Sequence, residues 1–411
     1  MAAGERGGEE QGVLVTAQAP QDGSGELEDE AVVATAQAPP GASGRVEDEM
    51  PRVLLTRRQI VAFALFILLG VGFLYFVLPK IAGVDTAVHQ IAQGDKWWIA
   101  VGVVFEVLSF AGYVVLFRAV FVRGQKQIGW RESYEITMAG LVATRLFAAA
   151  GAGGVALTAW ALRRSGMEPR LVACRMVAFL VLLYAVYAGW VVIDGIGLRT
   201  GVFPGGGPFA ITVVPAIVAA VLVGATGAMA LLPGDLERRL ARWASGSGRA
   251  AHWIARAVTV PALAASGVRT AIELIRSRDP GLLGAPAWWG FDICVLWAMF
   301  HAFGSAPPLT VISMAYFVGM LGNLLPLPGG LGGVEGGMIG ALAAFGVELN
   351  LAVLAVLSYR AISFWLPTIP GGLAYFQLRR TVARWRSEQS ALPASGTRAA
   401  QTAAAGALQS S

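Results

Sequence analysis

The chain has 411 residues, of which 56% are hydrophobic and only 14% charged, with a formal net charge of +5. Soluble domains average about 25% charged residues, so this chain lacks the charge to cover a water-facing surface, and a soluble enzyme or nucleic-acid-binding domain is excluded. Two widely separated cysteines in apolar sequence, Cys174 and Cys294, exclude a disulfide framework and a cysteine zinc site.

Residues 1–50 are acidic and rich in Ala, Gly and Pro. They contain a short tandem duplication: TAQAP at Thr16–Pro20 returns at Thr35–Pro39, and EDE at Glu28–Glu30 returns at Glu47–Glu49. Such a composition predicts a disordered tail. No basic n-region precedes the first apolar run, so an uncleaved anchor is expected rather than a signal peptide.

Six apolar runs long enough to span a bilayer follow, at 57–79, 97–121, 171–193, 208–232, 286–305 and 351–376. Two further apolar stretches are broken by glycine. One is 133–162, interrupted at Gly151, Gly153 and Gly154; the other is 309–346, interrupted from Pro326 to Gly333. Half-helices meeting at a glycine turn fit these better than plain spans. Gly166 and Gly346 close the two hairpins.

Arginine placement orients the elements. Arg52, Arg57 and Arg58 precede the first run, which puts the N-terminus in the cytoplasm. Basic residues flank the first broken segment on both sides, Arg118 to Arg131 before it and Arg163 to Arg170 after it, as expected of a hairpin entering and leaving from the cytoplasm. The second broken segment begins and ends in basic-poor sequence and should enter from outside. Arg379, Arg380, Arg384 and Arg386 close the last run on the inside.

The expected fold is an all-α polytopic membrane protein with about six transmembrane helices plus two re-entrant, Gly-broken helical hairpins in an inverted repeat. Its parts are the 1–50 tail, a first repeat at 51–200, a second at 201–380, and a disordered cytoplasmic tail at 381–411. Within the second repeat, 233–285 reads as a cytoplasmic basic loop whose interleaved Arg and Trp suit an amphipathic helix on anionic inner-leaflet lipids.

Charges inside apolar segments need an account. Glu106 lies mid-span, Arg145 lies in the first broken segment, and Arg360 lies about ten residues into the last span. Glu335 follows the turn formed by Pro328, Gly329, Gly330, Gly332 and Gly333. A half-helix starting there aims free amides and its positive end into the membrane interior, where they attract an anion. Arg360 adds a formal charge to the same group. Glu335 pairs with Arg360 when no anion is present or binds a cationic part of a substrate, or the two form only a structural ion pair; these readings stand side by side. Arg175 is read as snorkelling from a span end, Asp292 and Glu135 as solvated near inner boundaries, and His301 as a packing residue. The GAGGVA run at Gly151–Ala156 matches a dinucleotide-binding pattern but lacks the strand before it and the acidic residue after it. No enzyme motif stands out, and no cofactor or metal site is expected.

The stretch GNLLPLPGGLGGVEGGMIGALAAFGVELNLAVLAVLSYR, Gly322–Arg360, resembles the lysylphosphatidylglycerol synthase transmembrane family of flippase-like (UPF0104) membrane proteins. The resemblance covers about 55–380 and implies a lipid-translocating module, with Pro328, Gly329, Gly330, Gly332, Glu335 and Arg360 as matching positions and Glu106 as a glutamate often found in the second span. The first half departs from the family: no proline precedes its glycines, and Leu180 stands where an arginine is expected. No soluble aminoacyl-transfer domain is expected after the last span, so lipid aminoacylation is not what the resemblance implies here.

The leading reading is translocation of an anionic or glycosylated lipid between leaflets through a polar cavity between the repeats. The alternatives are a secondary transporter of a small soluble anion and a non-transporting membrane scaffold. Expected partners are the membrane lipid substrate, anionic inner-leaflet lipids at the basic loop and, left open, further copies of the chain as a homo-oligomer; nucleic acid is excluded. The expected location is the cell membrane, with both termini cytoplasmic.

Overall fold

The computed structural model describes residues 87–123, 127–146, 152–231, 249–325 and 327–391, together with Gly72. The run at 57–79, apart from Gly72, and the tail at 1–50 lie outside the described residues.

Among the described residues all regular structure is helical. After a short helix α1 (Ala87–Ala92) come α2 (Lys96–Phe117), α3 (Trp130–Leu146), α4 (Ala152–Arg164), α5 (Pro169–Thr200), α6 (Phe209–Met229) and α7 (Arg249–Arg276). The second half adds α8 (Gly284–Phe303), α9 (Leu309–Met320), α10 (Gly333–Ala344), α11 (Leu349–Arg360) and α12 (Thr368–Ala391). A π-helical turn (Arg118–Val122) extends α2, and another (Ala361–Trp365) joins α11 to α12. Five stretches are long and apolar enough to cross a bilayer: Lys96–Val122, Pro169–Thr200, Phe209–Met229, Pro280–Phe303 and Leu349–Glu388. They coincide with five of the six apolar runs, and the chain is a polytopic α-helical membrane protein.

Local chemistry sets the boundaries. Asp95 accepts the Trp97 N–H at 2.8 Å and starts α2. Proline follows Glu168 at the start of α5, where its missing N–H costs nothing, and Gly201 ends that helix in the left-handed conformation at φ 75°.

The two Gly-broken stretches are helical hairpins, α3–α4 and α9–α10, whose helices of 12 to 17 residues are too short to cross ~30 Å of hydrocarbon one by one at ~1.5 Å per residue. Both close in the same way. Met167 N–H reaches Leu162 O over Gly166 (φ 86°), and Val347 N–H reaches Leu342 O over Gly346 (φ 83°). Glu168 and Glu348 then begin α5 and α11. Each member of this pattern recurs 180 residues later, which is an internal repeat written in backbone geometry.

The halves pack as counterparts. Helices α2 and α8 run antiparallel: Gly112 lies against Gly284 and Ala287, and Gly102 against Met299. Hairpin one docks α3 on α12, where Thr381 donates to Glu135 at 2.6 Å. Hairpin two docks α9 on α5, where Tyr187 donates to the Phe317 carbonyl and Ser313 to Asp194. Exposed apolar residues such as Ile217, Val221 and Leu222 on α6, and Leu373 and Phe376 on α12, are the faces expected to meet lipid.

Two expectations need correction. The 233–285 segment contains the expected amphipathic helix, α7, but over its described side chains that helix does not lie on lipid alone: it lays Ala265, Val268, Ala271 and Leu274 against the bundle, and Cys174 of α5 contacts Thr270 at 3.3 Å. Its apolar stripe is covered by protein. The segment read as a tail from 381 begins as helix, for α12 continues to Ala391 and buries Thr381, Val382 and Trp385; residues 392–411 lie outside the described residues.

Candidate functional site

The tip of hairpin two folds as its glycines dictate. Gly329, Gly330 and Gly332 have φ of 61°, 66° and 84°, a region that side chains with a Cβ occupy at a cost of about 1–2 kcal/mol per residue. This backbone delivers Glu335 to the first turn of α10. One carboxylate oxygen accepts the Gly332 N–H at 2.7 Å, and the other accepts Nε of Arg360 at 2.6 Å. Arg360 Nη2 also donates to the Gly329 carbonyl at 2.9 Å. Glu335 is fully buried and Arg360 is 6% exposed. The half-helix therefore caps itself with its own carboxylate, and the ion pair ties hairpin to span as the sequence reading allowed. Gly330 and Gly333 pack against Asn323 and Gly322, so their part is steric. Pro328 opens the turn through its backbone. Pro326 lies outside the described residues.

Hairpin one contributes Arg145 from the last turn of α3. Its Nη2 donates to the Ser363 carbonyl at 2.7 Å, and its Nη1 donates to the Phe364 carbonyl and to Thr368 Oγ1. The Ser363 carbonyl is available for a clear reason: residue 367 is proline, which has no N–H to return to it, and the π-turn shifts the helical ladder at the same place, while the Phe364 carbonyl also accepts the Thr368 hydroxyl. The guanidinium groups of Arg145 and Arg360 both stand over the Phe364 ring, within cation–π range.

Glu106 on α2 is 3% exposed, and its partner across the antiparallel pair is Asp292 on α8 at 7%. The Tyr359 hydroxyl donates to Asp292 Oδ2 at 3.0 Å, and the Tyr316 hydroxyl donates to the same atom. Arg145 is close enough to both carboxyl groups to act on them electrostatically. Side chains from α2, α3, α8, α9, α10 and α11 thus converge at one buried place.

Of the residues picked from sequence, Glu106, Arg145, Gly329, Gly332, Glu335 and Arg360 come together here. Asp292 was read as solvated and is not: the helical stretch begins at Pro280, earlier than the apolar run at 286, which moves Asp292 to mid-helix. Glu135 is also fully buried, held by Thr381 and by Arg131 at 2.9 Å. Arg175 does not snorkel; it donates to the Phe121 and Arg123 carbonyls at the end of the π-turn. His301 packs against the rings of Trp98 and Trp297. Tyr316, Tyr359 and Phe364 escaped the sequence reading because nothing in an apolar run distinguishes an aromatic ring in a polar cluster from one in ordinary packing.

Residues 59–371 match the family model described as the lysylphosphatidylglycerol synthase TM region, and the chain belongs to that family. It is 36% identical over 109 residues to a UPF0104 membrane protein of Methanothermobacter thermautotrophicus, covering 26% of this chain and 31% of that protein. It is 30% identical over 93 residues to a UPF0104 membrane protein of Methanocaldococcus jannaschii, covering 22% of this chain and 28% of that one. The matched stretches thus span under a third of either relative's length.

Proposed function

We propose that this member of the lysylphosphatidylglycerol synthase TM region family moves an anionic or glycosylated lipid between the leaflets of the cell membrane. The headgroup passes through the polar centre between the halves while the acyl chains stay in the bilayer. The role is binding and translocation rather than catalysis. One observation carries the reading: two arginines, one from each half, converge on Phe364 beside the tip of hairpin two. Charge at such depth costs several kcal/mol and is kept where it serves a substrate.

The geometry suggests the exchange. Guanidinium groups bind phosphate oxygens in the same way as carboxylate oxygens. A headgroup phosphate replaces Glu335 on Arg360 Nε, while Glu335 keeps its hold on the Gly332 N–H at the start of α10. Rocking of one half against the other about the α2–α8 pair opens the centre to each side in turn. Arginine bias supports a cytoplasmic position for both termini, and exposed Arg276 and Arg278 near the end of α7 suit anionic inner-leaflet lipid.

The test is translocation of fluorescent phosphatidylglycerol in proteoliposomes by the wild-type protein and by Arg360→Ala and Glu335→Ala. Loss of flipping in both variants is expected. Unchanged flipping in both removes this site, and uptake of a soluble phosphate ester in place of lipid favours a soluble anion as the substrate.

A further inference from the structure

The carboxyl pair between α2 and α8 has a feature that headgroup binding leaves unused. Glu106 and Asp292 are both buried mid-helix on opposite members of the antiparallel pair, between the contact of Gly102 with Met299 and the bond from Ser109 to the Trp288 carbonyl, and they are close enough to act on each other. Two carboxylates that face each other in an apolar interior repel, so this placement favours a proton on one of them. The second observation is independent of the first. Glu106 Oε2 is buried and has no hydrogen-bond partner among the described residues. An ionised oxygen left without a donor in an apolar interior costs several kcal/mol, and the protonated form removes most of that cost.

Charge balance leads the same way. The groups that face the pair are Arg145 from α3, Tyr316 from α9 and Tyr359 from α11; Arg145 shares the Phe364 ring with Arg360, which Glu335 from α10 holds. Glu335 and Arg360 neutralise each other. Arg145 donates to two carbonyls and a hydroxyl, all neutral acceptors. One negative charge shared by Glu106 and Asp292 balances Arg145, and two leave an excess in a buried place. One proton on the pair makes the cluster neutral.

We infer that Glu106 and Asp292 form a proton-binding site that couples lipid movement to a proton gradient. The inference rests on the translocation reading above. When an anionic headgroup takes Arg360 from Glu335, the cluster gains one negative charge. Glu335 keeps its own charge, because the Gly332 N–H and the positive end of α10 hold it. The remaining carboxylate of the pair then takes a proton from hydronium, leaving water, and the cluster is neutral again. Headgroup and proton therefore bind together and leave together.

Two measurements test this. The first needs no substrate: infrared difference spectroscopy of the protonated-carboxyl C=O band in the purified protein, the Glu106→Gln variant and the Asp292→Asn variant. The wild type is expected to show the band at neutral pH and to gain intensity as pH falls, and each variant is expected to lose the band or shift it. An identical band in all three proteins, or none in the wild type at any pH, overturns the site. The second uses wild-type protein in vesicles of phosphatidylcholine and phosphatidylglycerol, with the membrane potential clamped by valinomycin and potassium. Flipping of fluorescent phosphatidylglycerol is expected to rise severalfold when the side of uptake is made acidic. Flipping that ignores the gradient overturns the coupling and leaves translocation standing. No flipping at all counts against translocation and takes the coupling with it.

Discussion

Arg145 and Arg360 belong to different halves of the chain, yet their guanidinium carbons lie 4.8 and 4.6 Å from the centre of the same Phe364 ring. Two like charges share one ring because each has its own acceptors and the ring's π-system attracts both. Phe364→Leu keeps most of the buried volume and removes the face. It is expected to lower stability by about 1–2 kcal/mol and to reduce lipid flipping more than that loss of folded protein explains. Thermal unfolding in detergent beside a flipping assay separates the two effects.

Glu335 and Arg360 form a buried pair in which each leaves the other stranded when removed. Arg360→Ala and Glu335→Ala are each expected to cost about 3–5 kcal/mol. The double variant should fall well short of their sum, giving a coupling energy of about 2–3 kcal/mol in a double-mutant cycle. Arg360→Lys is not a conservative change, because a single ammonium lacks the planar fork that reaches both Glu335 and the Gly329 carbonyl. An additive cycle contradicts the pairing.

The parts of the site that sequence made visible are those fixed by local chemistry. Glycines beside a proline inside an apolar run require a turn, and a glutamate three residues past Gly332 is placed to cap the helix that follows. Arg360 stood out because charge is rare at mid-span. The partners that depend on helix register were not visible. Asp292 meets Tyr316 and Tyr359 only because three helices stop and start where they do, and an error of a few residues in the start of α8 was enough to move it to the surface. The acceptors of Arg145 had a signal that went unused, the missing N–H of Pro367. The same limit applies to 381–391, whose charged face hid the buried Thr381, Val382 and Trp385.

Gly154 and Gly332, one in each hairpin, respond differently to a methyl group. A Cβ on Gly154 would lie 2.0 Å from Thr144 Oγ1 and 2.5 Å from the Gly140 carbonyl oxygen, so α3 and α4 must separate. Gly154→Ala is expected to cost about 3 kcal/mol. Gly332 has open space around its Cβ position and only its φ of 84° to defend. Gly332→Ala should cost about 1–2 kcal/mol while weakening the cap that Glu335 makes. Denaturant or thermal titration of both variants checks the order, and a larger loss at Gly332 contradicts it.

Outside the spans, Asp279 holds the turn before α8. Its carboxylate accepts the Gly281 N–H at 2.8 Å and Nη2 of Arg123 at 2.7 Å, and both keep its pKa below the usual carboxylate value, the backbone bond first. A pKa lowered by folding gives stability that is present above the unfolded value and lost as pH falls through the folded one. Wild type should therefore exceed Asp279→Asn in stability by up to about 1 kcal/mol near neutral pH. The gap should close below about pH 4, and salt should narrow it.

Opposite entry of the two hairpins is the expectation that accessibility tests most directly. Glu168 and Glu348 occupy equivalent places, each just past its hairpin, each exposed, and each preceding the next helix. An inverted repeat puts them on opposite sides of the bilayer, with Glu168 on the arginine-rich side. Cys174 and Cys294 are both free, so they are first replaced by serine or alanine. Single variants Glu168→Cys and Glu348→Cys are then treated with a membrane-impermeant maleimide in intact cells and in inside-out vesicles. Glu348→Cys is expected to react in cells and Glu168→Cys in vesicles. Reaction of both from the same side would mean that the 180-residue repeat is parallel, and the alternating opening of a shared centre would lose its structural basis.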